Sequence, residues 1–129
     1  MMPPSETTPA TIFVRFTFGG FHRWPDAPAS RAYLGVTHRH LFHVEVRMTV
    51  AHDDREVEFH DLLARSSAEF GELGRVDPIN GVVDFGERSC ESLARELASI
   101  LAGQFDRPVE VSVSEDNEVG ATVNVLPAS

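Results

Sequence analysis

The sequence contains one cysteine, no lysine and no long apolar run, and each absence excludes a class of protein. The single cysteine, Cys90, excludes an internal disulfide framework and suits a reducing cytosol. No apolar stretch approaches the roughly 20 residues that cross a bilayer, and no signal peptide is visible, so we expect a cytoplasmic protein without a membrane partner. The 11 basic residues, all arginine, face 20 acidic ones, and the formal charge of −9 argues against nucleic acid as a partner.

The composition that is present fits one globular domain. The chain has 129 residues, enough for one hydrophobic core, and 42% of them are hydrophobic. Residues 1–10 are rich in proline and threonine and predict a loose leader. We therefore expect a single domain over residues 11–129.

Hydrophobic periodicity predicts four strands and two helices. Apolar residues alternate, as in half-buried strands, over residues 11–18, 38–52, 108–115 and 120–126. The glycine pair at 19–20 is expected to end the first strand. A helical face begins at Phe59, and a second helix begins after its N-cap Ser89 and is expected to end at Gly103. The order ββααββ favours an α+β fold, a four-stranded antiparallel sheet with both helices on one face.

Three histidines lie where the predicted strands begin or end, and they indicate a metal site. Counting back by twos from Phe42 puts His40 and His38 on the inward face of the second strand, where two imidazoles can share one ion. His22 follows the first strand and can supply a third ligand. Three neutral imidazoles with an open fourth position are typical of catalytic zinc. Ordinary strand or loop histidines are the alternative, because a His-x-His pair alone is a weak signal.

Glu115 ends the third predicted strand on the same face as Val109, Val111 and Val113. A carboxylate at the end of an apolar row needs a partner, because burying it unpaired is costly. A ligand edge with two adjacent N–H donors would satisfy it bidentately. The alternative is a carboxylate at the rim, either solvated or paired with an arginine.

Several short motifs occur in the order and spacing of one protein family. The motifs are Phe-x-x-x-His at residues 18–22, His-x-His before an alternating strand at residues 38–46, a helix start at residues 58–62, a second helix start at residues 88–94, and Val-x-Val-x-Glu at residues 111–115. Together they resemble the 6-pyruvoyl-tetrahydropterin synthase and 6-carboxytetrahydropterin synthase family, which has the tunnelling fold. The resemblance covers about residues 11–126, with Arg39 where the family has glycine.

The resemblance implies a zinc site and a pterin pocket. The implied zinc ligands are His22, His38 and His40. Glu115 would hold the aminopyrimidine edge of the pterin, and Ser89 and Cys90 would line the same pocket, which forms between subunits in this family. The resemblance also implies a homo-hexamer built from two trimers.

The residues that move protons in this family are not intact in this chain. Residues 23–37 contain no cysteine ahead of the His-x-His segment, and the family's Leu-Asp-His segment between the helices is missing. The candidate replacements are Cys90, whose thiol pKa a helix N-terminus can lower, His60, an acid or base near neutral pH, and Asp77. The alternatives are inert packing for Cys90, a surface position for His60 and turn formation for Asp77. His43 faces away from the metal by strand parity.

The favoured hypothesis is a zinc-dependent lyase of the 6-pyruvoyl/6-carboxy-tetrahydropterin synthase type, acting on a reduced pterin such as dihydroneopterin triphosphate with non-standard proton-transfer residues. The alternative is a non-catalytic homologue, a metalloprotein that binds a pterin or a purine-derived molecule without turnover. A structural zinc domain fits less well, because such sites usually have four protein ligands.

Overall fold

Six strands form one sheet, and two helices cover one of its faces. The computed structural model describes residues 8–128, so residues 1–7 of the predicted leader lie outside the described residues. The elements in chain order are β1 (Thr11–His22), a 3₁₀ helix (Ala29–Gly35), β2 (His38–Thr49), α1 (Phe59–Glu72), β3 (Arg75–Val76), β4 (Val83–Asp84), α2 (Cys90–Phe105), β5 (Val109–Glu115) and β6 (Val119–Val125). No helix within this described part of the chain is long and apolar enough to cross a membrane.

The sheet has the strand order β3-β4-β1-β2-β5-β6 and is antiparallel except where β4 runs parallel to β1. The predicted α+β class is confirmed. The prediction of four strands omitted β3 and β4, which flank the turn at Asp77. Each of these strands has two residues, which is too short for alternation to be visible in a sequence.

Two glycine predictions were wrong. β1 continues through Gly19 and Gly20 to His22, and a Cβ atom on Gly20 would lie 2.5 Å from a ring carbon of Phe85. Gly20 therefore allows a close approach of the Phe85 ring rather than ending the strand. The second helix likewise passes Gly103 and ends at Phe105, followed by the C-cap Asp106, which has a left-handed backbone with φ 52°.

The core lies between the helices and the inward face of the sheet. Its centre is an aromatic cluster in which Phe42, Phe70 and Phe85 are fully buried. The rings meet edge-on or tilted, with centroids 5.0–6.3 Å apart, as aromatic side chains prefer. Leu62 of α1 and Leu97 of α2 are also fully buried in this core. The cluster sits directly beneath the histidine end of β1 and β2.

Both helices begin at side-chain caps. Glu58 accepts a hydrogen bond from the Asp61 N–H at 2.8 Å, and Ser89 accepts one from the Ser92 N–H at 3.1 Å. Ser89 is thus the N-cap that the sequence predicted. Because Ser89 holds the start of α2 in place, Cys90 lies at the first helical position, facing the histidine end of the sheet.

Candidate metal centre and ligand cavity

The register of β1 and β2 brings the three histidines together. His22 is the direct antiparallel partner of His38, and His40 follows two residues later on the same face. One ligand atom from each histidine lies within 4.8 Å of the others. The ring centroids of His22 and His38 are 4.7 Å apart, and those of His38 and His40 are 4.9 Å apart. The three imidazoles thus converge on one small volume.

Each imidazole is held through its Nδ1 atom. The acceptors are the Arg88 carbonyl for His22 at 3.0 Å, the Val36 carbonyl for His38 at 2.8 Å, and the Asp116 carboxylate for His40 at 2.7 Å. A carbonyl or carboxylate oxygen only accepts, so each Nδ1 must carry the proton and donate it. In a neutral imidazole this leaves the lone pair on Nε2, which is the tautomer that metal coordination requires.

The Nε2 atoms of His22 and His40 are buried and have no hydrogen-bond partner among the described residues. Glu115 carboxylate oxygens approach them to 3.1 and 3.5 Å, but the angles do not make hydrogen bonds. The lone pairs of the Glu115 oxygens thus face the lone pairs of the two Nε2 atoms in a half-buried space. A cation between them would stabilise this arrangement. Burial lowers the pKa of His22, which favours its neutral form, the form that binds metal. The residues present therefore fit a bound metal ion.

Phe42 forms an apolar floor under the histidines. Its ring is fully buried, and its centroid lies 5.3 Å from that of His22 and 6.1 Å from that of His40, edge-on in both cases. The ring restricts how far either imidazole can tilt. This contact ties the geometry of the candidate metal centre to the packing of the core.

Asp116 is a site residue that the sequence did not reveal, since its segment reads only as the turn between β5 and β6. Its N–H donates to the Leu41 carbonyl at 2.8 Å, and its two carboxylate oxygens accept from the Leu41 N–H at 3.0 Å and from His40. The Leu41 hydrogen bond, followed by that from His40, lowers the pKa of Asp116. Its left-handed backbone, φ 54°, suits a short polar residue. Asp116 therefore orients His40, and its hydrogen bonds to Leu41 hold the end of β5 against β2.

A cavity of about 530 Å³ opens beside the histidines. Glu115, Ser89 and Cys90, the three residues that the resemblance placed in a ligand pocket, all line it, together with His22 and His38. The remaining lining residues are Arg23, Trp24, Leu34, Glu87, Arg88, Glu91, Val119 and Gly120. Of these, Arg88 and Glu91 fall in the helix-start motif at residues 88–94, and no sequence pattern singled out the others.

Cys90 lies in this cavity as a protonated thiol. Its Sγ atom is 3.9 Å from a Glu115 oxygen. Burial, followed by the nearby charge of Glu115, raises the pKa of Cys90 to about 12. A thiol with this pKa is protonated near neutral pH, whereas a base or nucleophile must be a thiolate. Burial and the charge of Glu115 thus outweigh any lowering of the Cys90 pKa by the helix N-terminus.

The other candidate acids and bases lie apart from the cavity lining. His60 is exposed in the first turn of α1. Asp77 accepts hydrogen bonds from the N–H groups of Ile79 and Asn80, at 2.8 and 3.2 Å, and so shapes its own turn. His43 is on the opposite face of β2 from His38 and His40. None of these three residues lines the cavity beside the histidines.

No protein-family model matches the chain, and no curated protein sequence does. Solved structures do. A crystal structure of 6-pyruvoyl tetrahydropterin synthase from Plasmodium vivax aligns with a TM-score of 0.62 at 15% identity, over 93% of this chain and 99% of that one. The chain has the 6-pyruvoyl tetrahydropterin synthase fold. A P. vivax variant with alanine in place of a catalytic glutamate aligns over the same shares, with a TM-score of 0.63 at 14% identity. A second variant at that glutamate, with cysteine, gives 0.59 at 14% identity, again over 93% and 99%.

Proposed function

We propose that the chain is a zinc-dependent lyase of the 6-pyruvoyl/6-carboxy-tetrahydropterin synthase type that acts on a reduced pterin. The observation that carries the proposal is the set of three imidazoles that are held through Nδ1 and that each bring one ligand atom within 4.8 Å of the others, beside a cavity. His22, His38 and His40 would hold the ion. When bound, zinc would supply Lewis-acid polarisation of an oxygen on the pterin side chain.

Glu115 is proposed to hold the aminopyrimidine edge of the pterin. Its carboxylate lies at the boundary between the histidines and the cavity, and its side chain is 26% exposed. Two adjacent N–H donors on a ligand match the two oxygens of a carboxylate. The aromatic Trp24 and the aliphatic Leu34 on the cavity wall suit a flat heterocycle. Glu115 would thereby orient the ring so that its side chain meets the histidines.

The charges around the cavity favour a substrate side chain without a triphosphate. Two arginines face three glutamates in the lining, and both arginines already have partners. Arg23 lies 3.6 Å from Glu87, and Arg88 donates to Glu96 at 2.6 Å. Elimination of triphosphate is therefore the less favoured reaction, and cleavage or rearrangement of a shorter, uncharged pterin side chain fits these charges better.

A second candidate is a pterin- or purine-binding protein without turnover. Residues 23–37 of this chain contain no cysteine, and a pKa of about 12 keeps the Cys90 thiol protonated near neutral pH. The absence of a cysteine thiolate favours the binder, so binding and turnover have to be measured separately.

We also propose that the chain assembles as a homo-hexamer of two trimers. β6 lies at the edge of the sheet, and among the described residues it pairs only with β5. Val119 at its start is 64% exposed although it also lines the cavity, as expected if a neighbouring subunit covers the rim. Sedimentation equilibrium would give a mass of six chains, and a monomer at micromolar concentration would contradict this assembly.

The first experiment measures metal content, pterin binding and turnover on the same preparations. Wild-type protein is expected to hold one zinc per chain, His40→Ala to lose it, and His43→Ala, the matched control on the opposite face of β2, to keep it. At saturating zinc, Glu115→Gln is expected to lose affinity for dihydroneopterin. Product formation from dihydroneopterin or its triphosphate then supports the enzyme, and binding without product supports the second candidate. Absence of both zinc and pterin affinity would contradict both candidates.

A further inference from the structure

The carboxylate of Glu115 reaches into the space between the histidines. One oxygen is 3.1 Å from His22 Nε2, and the other is 3.5 Å from His40 Nε2. Neither approach has hydrogen-bond geometry, and a neutral imidazole that donates through Nδ1 presents a lone pair at Nε2. Oxygen and nitrogen lone pairs at these distances repel unless a cation lies between them. Glu115 is therefore placed as a co-ligand of the histidines.

Each Glu115 oxygen lies near one histidine nitrogen, at a distance close to the spacing of neighbouring donors around a tetrahedral ion. With metal–nitrogen bonds of about 2.0–2.1 Å, neighbouring donors in a tetrahedral zinc site lie about 3.3–3.4 Å apart. The observed 3.1 and 3.5 Å lie on either side of that spacing. A carboxylate there would fill the fourth position, which three histidines alone leave open.

The backbone at Glu115 is held in place by strand pairing and by the hydrogen bonds of the next residue. Glu115 pairs with Phe42 at the end of β5, and the next residue, Asp116, is bonded to Leu41 through both its N–H and its carboxylate. The side chain, however, borders the cavity and is 26% exposed. Rotation about its own bonds can turn the carboxylate from the histidines toward a molecule in the cavity, while the strand stays fixed.

We propose that Glu115 is a displaceable fourth metal ligand. In the ligand-free protein its carboxylate occupies the open position beside the three histidines, and a ligand presenting two N–H donors draws it away. The proposal rests on the metal site and pterin pocket of the proposed function. It adds that the carboxylate cannot bind the ion and both N–H donors of the ligand at once. Recognition of the ring therefore frees the fourth metal position for the ring's own side chain.

Cobalt(II) provides the test, because three imidazoles accept it and its visible bands report the ligands around it. In Glu115→Gln the cobalt dissociation constant is expected to rise at least about tenfold. Loss of a residue that only hydrogen-bonds to a metal ligand already weakens metal binding by about that factor, and loss of a ligand should cost at least as much. Thiocyanate is expected to shift the bands of Glu115→Gln at much lower concentration than those of wild type. Glu110→Gln removes the same charge from the same strand, outside the cavity lining, and serves as the matched control, expected to behave as wild type.

Addition of dihydroneopterin is expected to change the cobalt bands of the wild-type protein as the carboxylate leaves. Equal cobalt affinity and equal thiocyanate titrations in wild type and Glu115→Gln would overturn the fourth-ligand role. Bound pterin with unchanged bands would overturn its displacement. In contrast, failure of the wild-type protein to take up one cobalt per chain, or uptake unaffected by His40→Ala, would contradict the proposed function itself.

Discussion

Replacing Phe42 with leucine tests whether the aromatic core orients the candidate metal ligands. Phe42 and Phe70 are both fully buried in the same aromatic cluster, but only Phe42 contacts the rings of His22 and His40. Phe70→Leu is therefore the matched control. Both substitutions change the core by the same side-chain volume, and they differ in contact with the histidines.

The expected loss of stability follows from the carbons removed. Leucine has three fewer side-chain carbons than phenylalanine, and at about 0.8 kcal/mol per buried carbon the free energy of unfolding falls by about 2 kcal/mol in either variant. For a chain of 129 residues this lowers the melting temperature by about 8 °C. A loss of this size leaves a domain of ordinary stability folded.

The two variants should differ in metal affinity. Without the Phe42 ring the imidazoles of His22 and His40 can tilt, so Phe42→Leu is expected to weaken zinc binding about tenfold, as loss of an orienting partner does. Phe70→Leu should bind zinc as wild type does. Thermal unfolding of the metal-free proteins and zinc competition with a chelator measure the two quantities. Equal zinc affinities in the two variants would refute the role of the Phe42 ring in orienting His22 and His40.

Three further predictions concern single groups around the candidate site. Asp116→Asn should weaken zinc binding about 10-fold, measured by chelator competition, because an amide has one acceptor oxygen for the donors of His40 and Leu41; unchanged affinity would contradict the orienting role. Iodoacetamide should alkylate Cys90 far more slowly in native than in urea-unfolded protein, since burial raises its pKa to about 12; rapid native labelling would contradict this. Burial lowers the pKa of His22 below the ordinary histidine value of 6.5, so between these two pKa values the native state binds fewer protons than the unfolded state. The stability that His22 contributes is therefore complete above pH 6.5 and is lost as pH falls through the folded pKa. Urea midpoints of metal-free protein at neutral pH and at about pH 5 should show this fall, and His22→Gln should reduce it.

Much of the fold follows from local patterns in the sequence. A strand repeats every two residues and a helix every 3.6, so the apolar phase of β2 and β5 already puts His38, His40 and Glu115 on the inward face. Ser89 is recognisable as an N-cap because its side chain bonds to an N–H three residues away. The patterns failed where elements were too short to repeat, as in β3 and β4. They also failed at Gly20, where the ring of Phe85 comes from a distant part of the chain.

The sequence by itself determined which residues face the core and which of them could bind a metal, because these properties depend on side-chain chemistry and local periodicity. Only the tertiary structure decided what surrounds each of them. The register places His22 opposite His38, the Arg88 carbonyl fixes the proton of His22, and Asp116 does the same for His40. These partners are 16 to 76 residues apart in the chain, and no local repeat encodes pairing at such separations. The position of the Glu115 carboxylate between the histidines is likewise a result of strand pairing alone.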